Sequence, residues 1–189
     1  MFMADMYCYG KDADCAGITG IEGCLGLIIY HNNMFYAIHI PPSATGSKYT
    51  MSYAIEQFKS YVIGQDATIQ GGANVLLYGI TNRDFRSSAE DDIRYVCAQF
   101  GLPKCFMIRF RKTPKGKTLS TATICARLPW NNQLHFQCQA DSTVLYTETG
   151  ATQRHDSYKP WFAKDRRANR VAGWWPIDQS NAEIIRLKM

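Results

Sequence analysis

From Leu25 to Tyr30 the chain runs as apolar β-formers, His31, Asn32 and Asn33 interrupt it, and Met34 to Ile40 returns as a second apolar run. Two such runs about a short polar break predict a β-hairpin. The period then changes. Between Lys48 and Ile63, Met51, Ile55, Phe58 and Val62 recur every three or four residues, which predicts a helix with Ser47 as its cap and Gly64 as its end. Gly71 and Gly72 precede a predicted strand from Ala73 to Ile80. Ser87 with Glu90 three residues on has the capping-box spacing, and Ile93, Val96, Cys97 and Phe100 form the apolar face of a second helix that Gly101 and Pro103 stop.

Strands are predicted at Lys104 to Lys112 and Leu119 to Leu128, paired as a hairpin across Pro114-Lys115-Gly116. A further hairpin is expected from Gln133 to Gln139 and Thr143 to Thr147. Two main helices against mixed and antiparallel sheets give an α+β layered sandwich. No repeat or linker divides residues 1–189, so one domain is expected, with 151–189 as an irregular wrap or substrate-binding flank.

A length of 189 residues suits one domain with a substantial core, and 46% hydrophobic content argues for a globular chain. No apolar run is long enough for a membrane helix, and the N-terminus lacks the basic and apolar regions of a cleavable signal peptide. Seven cysteines at irregular spacing include no Cys-x-x-Cys, and there is no HExxH, so no metal and no cofactor are expected. Cys97, Cys105, Cys125 and Cys138 sit in apolar patterns as core residues. Cys8 and Cys15 could pair, but the reading is of a chain folded for a reducing compartment. The net charge of +5 gathers in Arg109 to Lys117 and Lys164 to Arg170. These are solvated loops or a surface for an acidic protein. No recognition module for nucleic acid accompanies them, so neither nucleic acid nor membrane is an expected partner.

One pair of residues stands out. Cys24 follows Gly23 at the head of the first hairpin strand, and His39 lies near the end of the second. Folding the hairpin makes them cross-strand or diagonal neighbours. An imidazole beside a thiol lowers its pKa and protonates a leaving group, which is the minimal activated nucleophile. The alternative is a core cysteine and a strand-end histidine. Gly20, Gly23 and Gly26 give clearance for a substrate to approach, and backbone N–H groups at such a turn would suit an oxyanion. Asp14, Glu22 and Asn74 are candidates to orient His39, with Gln70 or Tyr78 near the pocket. His31, His135 and His155 are read as structural or solvated.

Gly23-Cys24 at the head of a strand, with His39 fifteen residues on across a hairpin, resembles the Cys–His glutamine deamidases: the cytotoxic-necrotizing-factor toxins and the chemoreceptor glutamine deamidases. The resemblance covers roughly Gly17 to Pro42. Members carry a small or hydroxyl residue before the cysteine where this chain has Glu22-Gly23. The resemblance implies a single catalytic domain in which Cys24 is the nucleophile, His39 its base and Thr19 the residue orienting that base; separately, Glu22 and Gly23 beside the cysteine and Arg111 and Lys115 of the basic stretch are expected substrate contacts. It further implies a protein substrate carrying a reactive glutamine, deamidation or transglutamination as the reaction, and a bacterial effector or toxin with a cognate immunity or adaptor protein. Such a protein would leave the bacterial cytoplasm without a cleavable signal and act in a target cell's cytoplasm. Competing expectations are another Cys–His hydrolase, such as a peptidoglycan amidase or a peptidase, and a non-catalytic adaptor that holds an acidic partner.

Overall fold

The computed structural model describes residues 2–4, 8–40, 51–82, 88–110, 122–127, 135–140, 153–154, 175–176 and 182–189. In chain order these form strands β1 (Phe2–Ala4), β2 (Cys8–Asp12), β3 (Cys15–Ile21), β4 (Leu25–His31) and β5 (Met34–Ile40), helix α1 (Met51–Gln65), a 3₁₀ turn (Ala67–Ile69), β6 (Leu76–Asn82), helix α2 (Ala89–Gln99), β7 (Cys105–Phe110), β8 (Ala122–Arg127), β9 (His135–Ala140), β10 (Gln153–Arg154), β11 (Trp175–Pro176) and β12 (Ala182–Leu187). Among them a seven-stranded sheet has the order β10-β2-β5-β4-β6-β7-β12, and a five-stranded sheet the order β1-β3-β8-β9-β11. Both are mixed, with parallel pairs β6/β7 and β1/β3.

The layers follow from alternation along the strands. Leu25, Leu27 and Ile29 of β4, with Tyr36, Ile38 and Ile40 of β5, pack against Ile55, Phe58 and Val62 of α1 and Ile93 and Val96 of α2. The intervening residues Cys24, Ile28, Phe35 and Ala37 turn the other way, onto Ala16, Ile18, Ile21 and Ile124 of the five-stranded sheet. The result is an α+β sandwich of helices, a seven-stranded sheet and a five-stranded sheet. No described helix is long and apolar enough to cross a membrane.

The β4/β5 hairpin turns on Asn32 and Asn33, both in the left-handed region with φ of 48° and 58°. Two consecutive residues of positive φ match the right-handed twist of the flanking strands, and asparagine tolerates that backbone well. Asp66 secures the tip. Its carboxylate accepts from Asn32 Nδ2 at 3.1 Å and from the Thr68 amide at 3.0 Å, while His31 Nε2 lies 3.0 Å from Thr68 Oγ1. Hydrogen bonds from Thr68, then from Asn32, hold the Asp66 carboxyl below its ordinary pKa. Helix α2 ends at Gly101, at φ +63°, where the Leu102 amide reaches back to the Cys97 carbonyl at 3.0 Å.

Several expected features differ. Ser88, not Ser87, is the N-cap of α2. Its hydroxyl bonds the Asp92 carboxylate and no backbone amide. β8 does not pair with β7. Both flanks of β7 are occupied, by β6 and by β12, and β8 lies in the other sheet between β3 and β9. The described antiparallel neighbours of β9 are β8 and β11, and Thr143 to Thr147 fall outside the described residues. The tail 151–189 is not irregular throughout: β12 extends the seven-stranded sheet, register-matched to β7 from Ala182↔Phe110 to Leu187↔Cys105. Ser47 and residues 111–121 are outside the described residues. Cys8 and Cys15 are not joined in a disulfide.

Candidate functional site

Three residues, Glu22 to Cys24, carry the chain from β3 in one sheet to β4 in the other. Cys24 thus lies on a bend at the head of a strand, as its sequence surroundings predict. The β4/β5 ladder sets Gly26 opposite His39 and Leu25 opposite Ile40. Cys24 is two residues before Gly26, so it is the diagonal neighbour of His39 on the same face. Diagonal neighbours on one face of a ladder are about 7–8 Å apart at the backbone. Cys24 and His39 both point between the sheets, since Cys24, Ile28 and Ala37 share the inter-sheet cluster.

Sequence reasoning passed over Asn82. The β4/β6 ladder sets Gly26 opposite Ile80, and two residues further along Cys24 comes level with Asn82 at the end of β6. Tyr78 and Ile80 belong to the inter-sheet cluster, and alternation gives Asn82 the same face. Continuing both ladders past Gly26 to Cys24 therefore sets His39 of β5 on one side of it and Asn82 of β6 on the other. The described buried polar residues are Thr19, His39, Thr81 and Asn82. All four come from strand ends at the end of the sandwich where Cys24 lies. Buried polar groups are costly unless they are satisfied, so their concentration here marks that end as chemically distinct. The available signal was the polar pair Thr81-Asn82 directly after an apolar strand.

Among the described residues, the clearance expected from Gly20, Gly23 and Gly26 for a substrate at Cys24 is not found. Cys24 is only 3% exposed, and His39 1%. The cause lies at Gly26. A Cβ built there would sit 2.9 Å from Ile18 Cγ1 and 3.1 Å from Ile21 Cδ1, so this glycine lets β3 close directly over β4. Gly20 adopts φ +60° with open space around it, beside the irregularity in β3/β8 pairing between Ile18 and Ile21. Thr19 is buried in β3, with Oγ1 3.4 Å from the Ala4 carbonyl oxygen. Glu22 is exposed and Gly23 half-buried on the crossover. Arg111 and Lys115 lie outside the described residues.

Of the candidate orienting residues, Glu22 adjoins Cys24 on the crossover, whereas Asp14, between β2 and β3, and Asn74, ahead of β6, lie toward the hairpin-turn end, as does Gln70. Tyr78 shares the inter-sheet face but is four residues along β6 from Asn82. Its ring stacks on Phe106 at 5.0 Å, and burial pushes its hydroxyl pKa up.

A perturbed thiol lies elsewhere in the fold. Cys15 on β3 clusters with Met3 and Cys125 on the outer face of the five-stranded sheet. A hydrogen bond with Cys125, then the nearby Arg127, holds the Cys15 thiol below its ordinary pKa, against an opposing effect of burial. Among the described residues no three His, Cys, Asp or Glu side chains gather as a metal site. No family model, no curated protein and no solved structure matches the chain.

Proposed function

We propose that this protein is a thiol-dependent glutamine deamidase, with Cys24 as nucleophile and His39 as its acid–base partner. The supporting observation is the ladder register, which sets thiol and imidazole diagonally on one face at the polar end of the sandwich. In this reading the Cys24 proton passes to His39, and the thiolate attacks the carboxamide carbon of a glutamine side chain. Collapse of the tetrahedral intermediate breaks the C–N bond, and ammonia leaves with the proton from His39. Water, deprotonated by His39, then hydrolyses the thioester, giving glutamate and the free thiol. An amine in place of water would give transglutamination. The substrate is a protein whose new carboxylate alters its behaviour, as expected of an effector or toxin.

The 3% exposure of Cys24 favours a second reading, in which Cys24 is a core residue and the chain is a non-catalytic module for an acidic partner. Alkylation with iodoacetamide at near-neutral pH, read peptide by peptide, separates the two. The deamidase reading expects Cys24 to label faster than the other cysteines, Cys15 included, and His39→Ala to abolish that advantage. Cys24→Ser and His39→Ala should each remove deamidation of candidate proteins, and their losses should not add, because the pair acts as one unit. A Cys24 as inert as Cys97 would overturn the enzyme and leave the adaptor.

A further inference from the structure

We propose that Asn82 is the oxyanion donor of this site, its side-chain N–H bonding the carboxamide oxygen as negative charge develops there. The assignment rests on the deamidase reading above and deepens it. Two observations support it, for a residue at the buried end of β6. The β4/β6 ladder ends with Gly26 opposite Ile80, and its count continued by two residues sets Asn82 level with Cys24. It stands on the flank of Cys24 opposite to the one that His39 occupies, since β4 lies between β5 and β6.

That last point determines the role. A residue that orients a catalytic imidazole must lie beyond the imidazole as seen from the thiol, and Asn82 lies on the other side of the thiol. A carbonyl under attack by Cys24, with its leaving nitrogen toward His39, directs its oxygen away from the imidazole and toward β6. An asparagine amide offers two N–H donors and carries no charge that would compete for the His39 proton. As Sγ bonds to the carboxamide carbon, the C=O π pair moves onto oxygen, and Asn82 Nδ2 donates to that oxyanion. When the pair returns, the C–N bond breaks, and ammonia takes its proton from His39. Asn82 exchanges no proton at any step. A fixed donor aimed where charge develops lowers the barrier without raising the affinity for substrate.

The test uses ammonia release from benzyloxycarbonyl-glutaminyl-glycine alongside iodoacetamide labelling of Cys24. Alkylation needs the thiolate and no oxyanion, so it reports the thiol–imidazole pair alone. In Asn82→Ala, kcat for ammonia release should fall by roughly 10²–10³-fold, the loss typical of one oxyanion donor, while KM and the Cys24 alkylation rate hold. Asn82→Asp keeps the side-chain shape but replaces the donor with a carboxylate. With an unchanged circular dichroism spectrum it should lose at least as much activity. Ammonia release by Asn82→Ala within a small factor of wild type would overturn the donor assignment alone. So would a parallel fall in alkylation, which would place Asn82 in support of the fold or of Cys24 itself. Failure of the wild-type protein to release ammonia would remove the deamidase reading and the donor with it.

Discussion

Replacing Gly26 by alanine puts one methyl group where the two sheets meet, and the size of its effect can be reasoned from the distances. The added carbon would stand 2.9 and 3.2 Å from Ile18 Cγ1 and Cγ2 and 3.1 Å from Ile21 Cδ1. Ile18 and Ile21 are both fully buried in β3. Ile18 is branched at Cβ, so its two nearest atoms cannot both swing clear by a single rotamer change. Overpacking of this kind costs about 1–3 kcal/mol. Alanine's restriction of the unfolded chain offsets about 0.4–1 kcal/mol of that. The net expectation is a destabilisation of about 1–2 kcal/mol, which for a chain of this size lowers Tm by about 2–8 °C. Urea titration followed by circular dichroism measures the first figure, and calorimetry checks the second. An Ile18→Ala background should absorb much of the penalty, because it removes both Cγ atoms. If Gly26 instead served only to admit substrate, Gly26→Ala would leave the unfolding midpoint at its wild-type value and reduce kcat/KM alone. That result would refute close packing of β3 on β4 as the reason for the glycine.

Two further outcomes test other parts of the structure. Burial, then the neighbouring Tyr36 and Tyr9, push the Tyr61 hydroxyl up to about 12 from 10.0, so the folded state holds that proton more tightly. The stabilisation is complete below pH 10 and is lost as pH rises toward 12. Tyr61→Phe should therefore lessen the fall in unfolding free energy across that window, as read by urea titrations at successive pH values, and an unchanged slope would contradict the assignment. Ser88→Ala should cost less than the ~1 kcal/mol typical of an N-cap, because the Ser88 hydroxyl bonds Asp92 and no helix amide. A loss of about 1 kcal/mol or more would show that the cap operates as usual.

The parts of the fold that are legible in the sequence are those set by local contacts. Asn32 and Asn33 announce the β4/β5 turn by their tolerance of positive φ, and the alternation that follows fixes which residues share a face. The register that relates Cys24 to His39 is therefore contained within seventeen residues, Cys24 to Ile40. The helices read equally well from their apolar spacing. What could not be read depends on distant pairing. β8 has a hairpin-like spacing from β7, yet the flank of β7 it would need is taken by β12, more than seventy residues along the chain. β12 itself is hard to recognise, since its adjacent Ile184 and Ile185 break the alternation at a sheet edge. The burial of Cys24 comes from β3 lying across it, and nothing local to the cysteine encodes that. Asn82 belongs to the same class: its importance arises from its level on β6 relative to β4.

The β4 ladder also has a consequence for how this site can change over evolutionary time. Neighbouring strands are held about 4.8 Å apart, with side chains on one face repeating about every 6.8 Å along each strand. The positions of Cys24, His39 and Asn82 are read off this grid, and a substitution on any of the three strands alters a side chain without moving its grid point. A residue gained or lost inside β4 or β5 acts differently. It reverses the alternation beyond that point and turns the thiol or the imidazole toward the helices. On the proposed reading, point mutations tune or silence the chemistry while preserving its framework, whereas a single-residue indel within the hairpin strands dismantles it in one step. Length variation among descendants of this chain should accordingly collect in the connections and spare Leu25–His31 and Met34–Ile40.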